Sequence, residues 1–325
     1  MVKRTIDLLR AVYRRQGVVP VLGAGASLGS GVPTWEDLLV RLADKAPKGK
    51  PAFQELRSQG FSLPVAAANI ESMYGSRQKL FDQLWRTLYA DTPFGTISLA
   101  RPWKRELLDN VQNRNPTLRA VAALCCAASG TGFIPNGKVR AVVTFNLDTI
   151  LEEYVSYRYG GDMLQAIDHP AARTDVSATS VYHMHGFVKI GRMSPGALIL
   201  TEADYFDFFS EPFGAFTYTF LYLLREASCV FIGLSMRDDN LRRLLYYSAR
   251  ERGQVFSKMG RSRSSPALAR HFALMARQEN SIDDALESGL RELGVRIIWL
   301  DGYDEIPSVL KKVYESTVAR WADVF

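Results

Sequence analysis

The chain has 325 residues, enough for one large domain or two ordinary ones, and 47% hydrophobic against 23% charged residues supply a core. No apolar run reaches the roughly 18 residues that a bilayer-spanning helix needs, which excludes an integral membrane protein of the helical kind. Three cysteines, two of them adjacent, make neither a disulfide framework nor a zinc site, and a net charge of +6 permits an acidic partner or a nucleic acid contact without demanding one.

The basic start MVKRTIDLLRAVYRRQG carries Ile6, Leu9, Val12 and Tyr13 as a helix stripe, so a packed helix is expected there rather than a targeting segment. Residues 18–22 read as a short apolar strand, followed by the loop GAGASLGSGVP and an amphipathic helix over about 35–46. Across 47–138 helical patterns recur, as in RQKLFDQLWRTLYA and PTLRAVAALCCAAS, broken by Pro and Gly. This stretch is expected to form a helical insertion between residues 1–46 and 139–325.

From Val139 an α/β rhythm returns. RAVVTF reads as a strand and TILEEYVSYRY as a helix; SVYHMHGFVKI follows, then a strand at ALILT and helices from EADYFDFF to TYTFLYLLREA. SCVFIGLS is a strand leading into helix DDNLRRLLYYSARER. The piece SKMGRSRSSPA reads as a loop, PALARHFALMARQ as a helix, VRIIWL as a strand, and a helix from residue 306 closes the chain. Strands alternating with helices of this length imply an α/β fold with a doubly wound, Rossmann-like parallel sheet covered on both faces, plus the helical insertion.

In such a sheet, ligands bind beyond the carboxyl ends of the strands, and four of those ends carry candidate residues. After the first strand, Gly23 and Gly25 permit φ > 0 or a close backbone approach to a phosphate, and a following helix N-terminus would favour the same anion. A plain tight turn explains them as well. The dehydrogenase pattern fits poorly: its third glycine falls on Leu28, and Asp44, at the spacing of a ribose-binding acid, lies inside a helix. After the second strand, Asn146 and Asp148 are either an Asx-turn and a helix cap or ligand-facing groups.

His183 and His185 have strand spacing, so both are expected to face one side if the stretch is extended. A metal reading lacks a third ligand. A buried, hydrogen-bonded histidine and a neutral general base are the two remaining readings, and Gly186 after His185 leaves room for close approach. Gly233 and Ser235 end another strand, where a nucleoside could lie; the alternative is a turn capped by Asp238 or Asp239.

Taken in order, GAGASLGSGVP, TFNLD, His185-Gly186, GLS and the final VRIIWLDGYDEI resemble the motifs of the sirtuin-like NAD-binding family. The resemblance covers 18–46 and 139–305 in outline. The chain departs from the family's deacylases at three points. It has Trp35-Glu36 where they carry an aromatic-Arg pair, Phe145 where they carry Gln, and no Cys-x-x-Cys pair where they carry a zinc module. It is therefore more similar to the bacterial anti-phage branch whose members destroy NAD.

That resemblance implies an NAD hydrolase releasing nicotinamide and ADP-ribose, with NAD as substrate and no metal. Asn146 and His185 would be catalytic; Gly23, Ala24, Gly25 and Ser27 would hold the pyrophosphate. Asp148 would take the carboxamide, Thr144 would share its motif, and Gly233 and Ser235 would lie on the adenosine side. It further implies a cytoplasmic, self-assembling effector gated by a partner such as a DNA translocase ATPase or a short Argonaute. The insertion and the basic loop 258–266 are the candidate contact surfaces, although a solvated loop is the plainer account of the latter. Alternative readings are a deacylase without zinc and a non-catalytic sensor of NAD or ADP-ribose.

Overall fold

A computed structural model of the chain describes residues 2–94, 103–130, 132–169, 172, 174–190, 198–210, 214–258, 269–278 and 281–315. In chain order, helix α1 (Val2–Gln16) leads into β1 (Val18–Leu22) and α2 (Trp35–Lys45). Five helices follow: α3 (Gly49–Ser58), α4 (Leu63–Tyr74), α5 (Arg77–Leu88), α6 (Trp103–Arg114) and α7 (Pro116–Cys125). Then come the hairpin β2 (Cys126–Ser129) and β3 (Gly132–Pro135), β4 (Val142–Thr144), α8 (Ile150–Tyr159), β5 (Leu164–Ile167) and β6 (Thr179–His183). Helices α9 (Glu202–Ser210) and α10 (Ala215–Glu226) precede β7 (Ser228–Ile232) and α11 (Asp239–Lys258). The described chain closes with β8 (His271–Ala276), α12 (Ser281–Glu292), β9 (Val295–Leu300) and α13 (Ile306–Tyr314).

Seven strands form one parallel sheet in the order β5-β6-β4-β1-β7-β8-β9. The fold is thus α/β and doubly wound, as the alternation predicts. Side-chain alternation explains why both faces are covered. Val18 and Leu22 of β1 point into one core and Val19 and Val21 into the other; Val142 and Val143 of β4 divide in the same way. Strands buried on both faces read as continuous apolar runs. Helices α1 to α8 and α13 contribute to the first core, and α10 to α12 to the second. The helices between residues 47 and 138 share the first core with β1 and β4. Strand order reverses at β1, and the ends of β1, β4 and β7 meet there.

Some expected elements differ. The stretch 266–278, read as a helix, contains β8: HFALMA is buried on both faces between β7 and β9, and a run apolar on both faces carries no usable period. Of ALILT, read as a strand, the described residues 198–201 form none, and the end of PTLRAVAALCCAAS turns from helix into β2. β5 and α12 were not anticipated. In the basic loop, residues 257 and 258 end α11 and the remainder lies outside the described residues, as does the closing helix beyond 315.

Candidate active site

The glycine loop leaves β1 through two short 3-10 turns, Ala24–Ala26 and Leu28–Ser30, and α2 starts only at Trp35 behind the cap Thr34. The helix expected to aim at an anion directly behind the loop is replaced by these turns. Nor is Gly23 used for φ > 0; its φ is −127°. Close packing explains it instead. A Cβ on Gly23 would lie 2.5 Å from the Leu234 side chain, and one on Gly25 2.8 Å from Gly233 Cα. Gly233 itself takes φ +67°, and its N-terminal neighbour strand delivers it against Ala26 and Gly25. The Gly25 N–H donates to the Gly233 carbonyl at 3.0 Å. Gly23, Ala24, Gly25 and Gly233 are therefore one assembly across the β1/β7 junction, while Ser235 is exposed beside it.

β4 brings the polar pair to the same loop. The Asn146 side-chain amide donates to Ser27 Oγ at 3.1 Å, and the Asn146 backbone N–H donates to Thr144 Oγ1 at 3.1 Å. Asp148 Oδ1 accepts the Ile150 N–H at 3.2 Å, an Asx-type turn just ahead of α8, whose cap residue is Thr149 rather than Asp148. Asp148 Oδ2 is buried and has no partner at full hydrogen-bonding geometry, although the Ser27 hydroxyl lies near enough to act on the carboxyl. An orphaned buried acceptor costs about 1–3 kcal/mol, which a folded chain retains where a ligand or water completes it. Burial lifts the Asp148 carboxyl to about 6; the Ser27 hydroxyl and the Ile150 N–H hold it down in part, and Glu152 pushes it further up. Ser27, Thr144, Asn146, Asp148 and Glu152 line a cavity of about 10 Å³, room for one water.

The two histidines part company. β6 ends at His183, and a turn with the Gly186 N–H donating to the His183 carbonyl swings His185 to the other side of the sheet. The expectation that both face one way fails because the stretch is not extended there. His183 is buried, 2.5 Å from Glu152 through Nε2 and 3.2 Å from the Asn146 carbonyl through Nδ1. It holds the Asn146 backbone. His185 packs edge-on against Phe145 and Tyr205, with ring centroids 5.3 Å away in each case, and its Nε2 lies 3.4 Å from the Tyr205 hydroxyl. Burial lowers the His185 pKa, partly offset by Asp238 and by a hydrogen bond to the Phe145 carbonyl. The ring is neutral at physiological pH, the state a general base requires. Asp238 also caps α11 by accepting the Leu241 N–H at 2.7 Å.

Four contributors escaped the sequence reading. Glu152 lies one helical turn beyond Asp148, a spacing that could have revealed it. Tyr205, Tyr89 and Asn115 left no local signal. From α5's end, the Tyr89 hydroxyl donates to the Val188 carbonyl (2.5 Å) and accepts the Thr149 N–H (3.3 Å), joining the loops that follow Asp148 and His185. Asn115, ahead of α7, donates to the Ala26 carbonyl (2.9 Å) and to Ser30 Oγ (3.0 Å), bracing the glycine loop. Burial pushes the Cys126 and Cys229 thiols up to about 12, so neither supplies a thiolate. Among the described residues no group of three or more His, Cys, Asp or Glu could hold a metal ion.

The chain is an α/β protein with a doubly wound parallel sheet, whose glycine loop and buried Asn-x-Asp lie at the switch point where such folds hold ligands. Residues 140–298, just under half of the chain, match the family model of the SIR2-like domain. No curated protein matches the chain. No helix among the described residues is long and apolar enough to cross a membrane.

Proposed function

We propose that the chain is an NAD hydrolase that cleaves the nicotinamide–ribose bond. The observation that carries this reading is the Asn146–Ser27 hydrogen bond, which makes the glycine loop and the Asn-x-Asp one site beside the unsatisfied Asp148 oxygen. By the resemblance, the orphaned Oδ2 would accept from the carboxamide N–H2, Asn146 would accept from a ribose hydroxyl, and the pyrophosphate would lie against the Gly23–Ser27 loop. There the N–H groups of Gly23, Gly25, Ala26 and Ser27 already donate to backbone carbonyls, and that of Ala24 would be the loop's donor.

The bond breaks with its electron pair passing to the pyridinium nitrogen, so nicotinamide leaves neutral and needs no acid. Water adds to the ribose carbon and gives its proton to neutral His185; the products are nicotinamide, ADP-ribose and a proton. Phe145 and Tyr205 hold the His185 ring. The resemblance to the anti-phage branch supports a cytoplasmic, self-associating effector that a partner such as a DNA translocase ATPase or a short Argonaute switches on.

Incubation with NAD, with nicotinamide followed by chromatography, tests the reading. Asn146→Ala and His185→Ala are expected to abolish release, whereas His183→Ala lowers stability first because it removes the partner of Glu152. NAD binding without nicotinamide release in an active preparation would favour a sensor; full turnover by both variants would overturn the site.

A further inference from the structure

A neutral imidazole carries one N–H and one lone pair. In His185 the N–H goes to the Phe145 carbonyl, which leaves Nε2 as the acceptor, and Nε2 faces the Tyr205 hydroxyl at 3.4 Å. The base nitrogen is therefore covered by a phenol O–H, so a water that gives up a proton meets Tyr205 before it meets His185. The position of that phenol is fixed from outside the pair. Tyr205 lies in the first turn of α9, where its N–H donates to the Thr201 carbonyl at 3.0 Å. Its neighbour Asp204 accepts the N–H groups of Leu200 and Thr201 and pairs with Arg77 of α5 at 2.8 Å.

Tyr205 is half-buried, and burial together with Asp238 and Asp204 raises its phenol above the ordinary value. It is neutral at physiological pH and is no base in its own right. A neutral phenol takes a proton only while it gives one away, and His185 Nε2 stands where that second proton would go. Asp238 favours the charged form of the same imidazole, as does the Phe145 carbonyl. The imidazolium that receives the proton is thus provided for on both sides.

We infer that Tyr205 is a catalytic residue that relays the proton of the attacking water to His185. The inference rests on the hydrolase reading above and adds a step to it. The water oxygen bonds to the ribose carbon as the bond to nicotinamide breaks and its electron pair leaves with the nicotinamide nitrogen. The water proton passes to the Tyr205 oxygen while the Tyr205 proton passes to His185 Nε2. The phenol is restored, and the imidazolium later returns its proton to solvent, so the products are unchanged.

The relay serves water alone. Nicotinamide returning to the ribose carbon has no proton to lose, so exchange of labelled nicotinamide into NAD needs no base. Tyr205→Phe keeps the ring that packs against His185 and removes only the hydroxyl. In the full chain it is expected to lower NAD hydrolysis roughly tenfold or more, while label exchange and KM for NAD stay within about twofold of wild type. The circular dichroism spectrum should be unchanged. Equal losses of hydrolysis and exchange would give Tyr205 a packing role and overturn the relay, as would hydrolysis at the wild-type rate. A wild-type chain that catalyses neither reaction overturns the hydrolase reading and the relay with it, so the two failures are told apart.

Discussion

Replacing Asp148 by Asn is expected to stabilise the protein while removing its activity. Folding lifts the Asp148 carboxyl to about 6 from an ordinary value of about 4. Between these values the folded state holds a proton that the unfolded state has released. Stability therefore falls as pH rises from about 4 to about 6, and above that window the buried charge costs about 3 kcal/mol. Asn keeps Oδ1 for the Ile150 N–H and carries no charge. Its amide nitrogen takes the place of the orphaned Oδ2, and an imperfect partner there returns about 1 kcal/mol. The net gain at pH 7.5 is about 2 kcal/mol, shrinking to nothing or a small loss near pH 4. Urea unfolding of both proteins from pH 4 to pH 8 measures it. If the two stability curves stay parallel across that range, Asp148 does not ionise at a cost and its reading as a strained, ligand-ready carboxylate is wrong.

Tyr89→Phe keeps the buried ring but leaves the Val188 carbonyl and the Thr149 N–H unpaired, so urea unfolding should show a loss of about 1–3 kcal/mol. Turnover of NAD should fall more than NAD affinity, because the change loosens two loops and leaves the glycine loop in place. Gly233→Ala should cost more than the roughly 1–2 kcal/mol of a left-handed alanine, since its Cβ would meet the Ala26 nitrogen at 2.4 Å. Wild-type stability for that variant in denaturant would show that the two loops are not packed as described.

The parallel sheet was legible because its strands are short apolar runs at the expected spacing, and RAVVTF, SCVFIGLS and VRIIWL each fall where a strand lies. HFALMA was not, because a strand buried on both faces and a buried helix look alike over six residues. At the site, Asn146, Asp148 and Ser27 could be proposed from their motifs and do come together. The separate duties of His183 and His185 could not, since one turn at Gly186 decides them and spacing alone assumes an extended chain. Tyr89 and Asn115 act across long stretches of chain, where sequence has no period to read. Gly23 and Gly25 were legible as glycines but for another cause: the neighbour that excludes a Cβ is the Gly233 loop.

The register of β1 carries a consequence for biosynthesis. Val18 pairs with Ser228 on one side, and Val21 with Val143 on the other. The glycine loop emerges from the ribosome early, but its packing partner Gly233 emerges only after most of the chain has been made. A parallel sheet closed by such distant pairings forms late. A nascent chain therefore carries the Gly23–Ser27 loop long before it carries the Gly233 turn that packs against it. If the proposed function holds, a truncated translation product ending before β7 should release no nicotinamide from NAD.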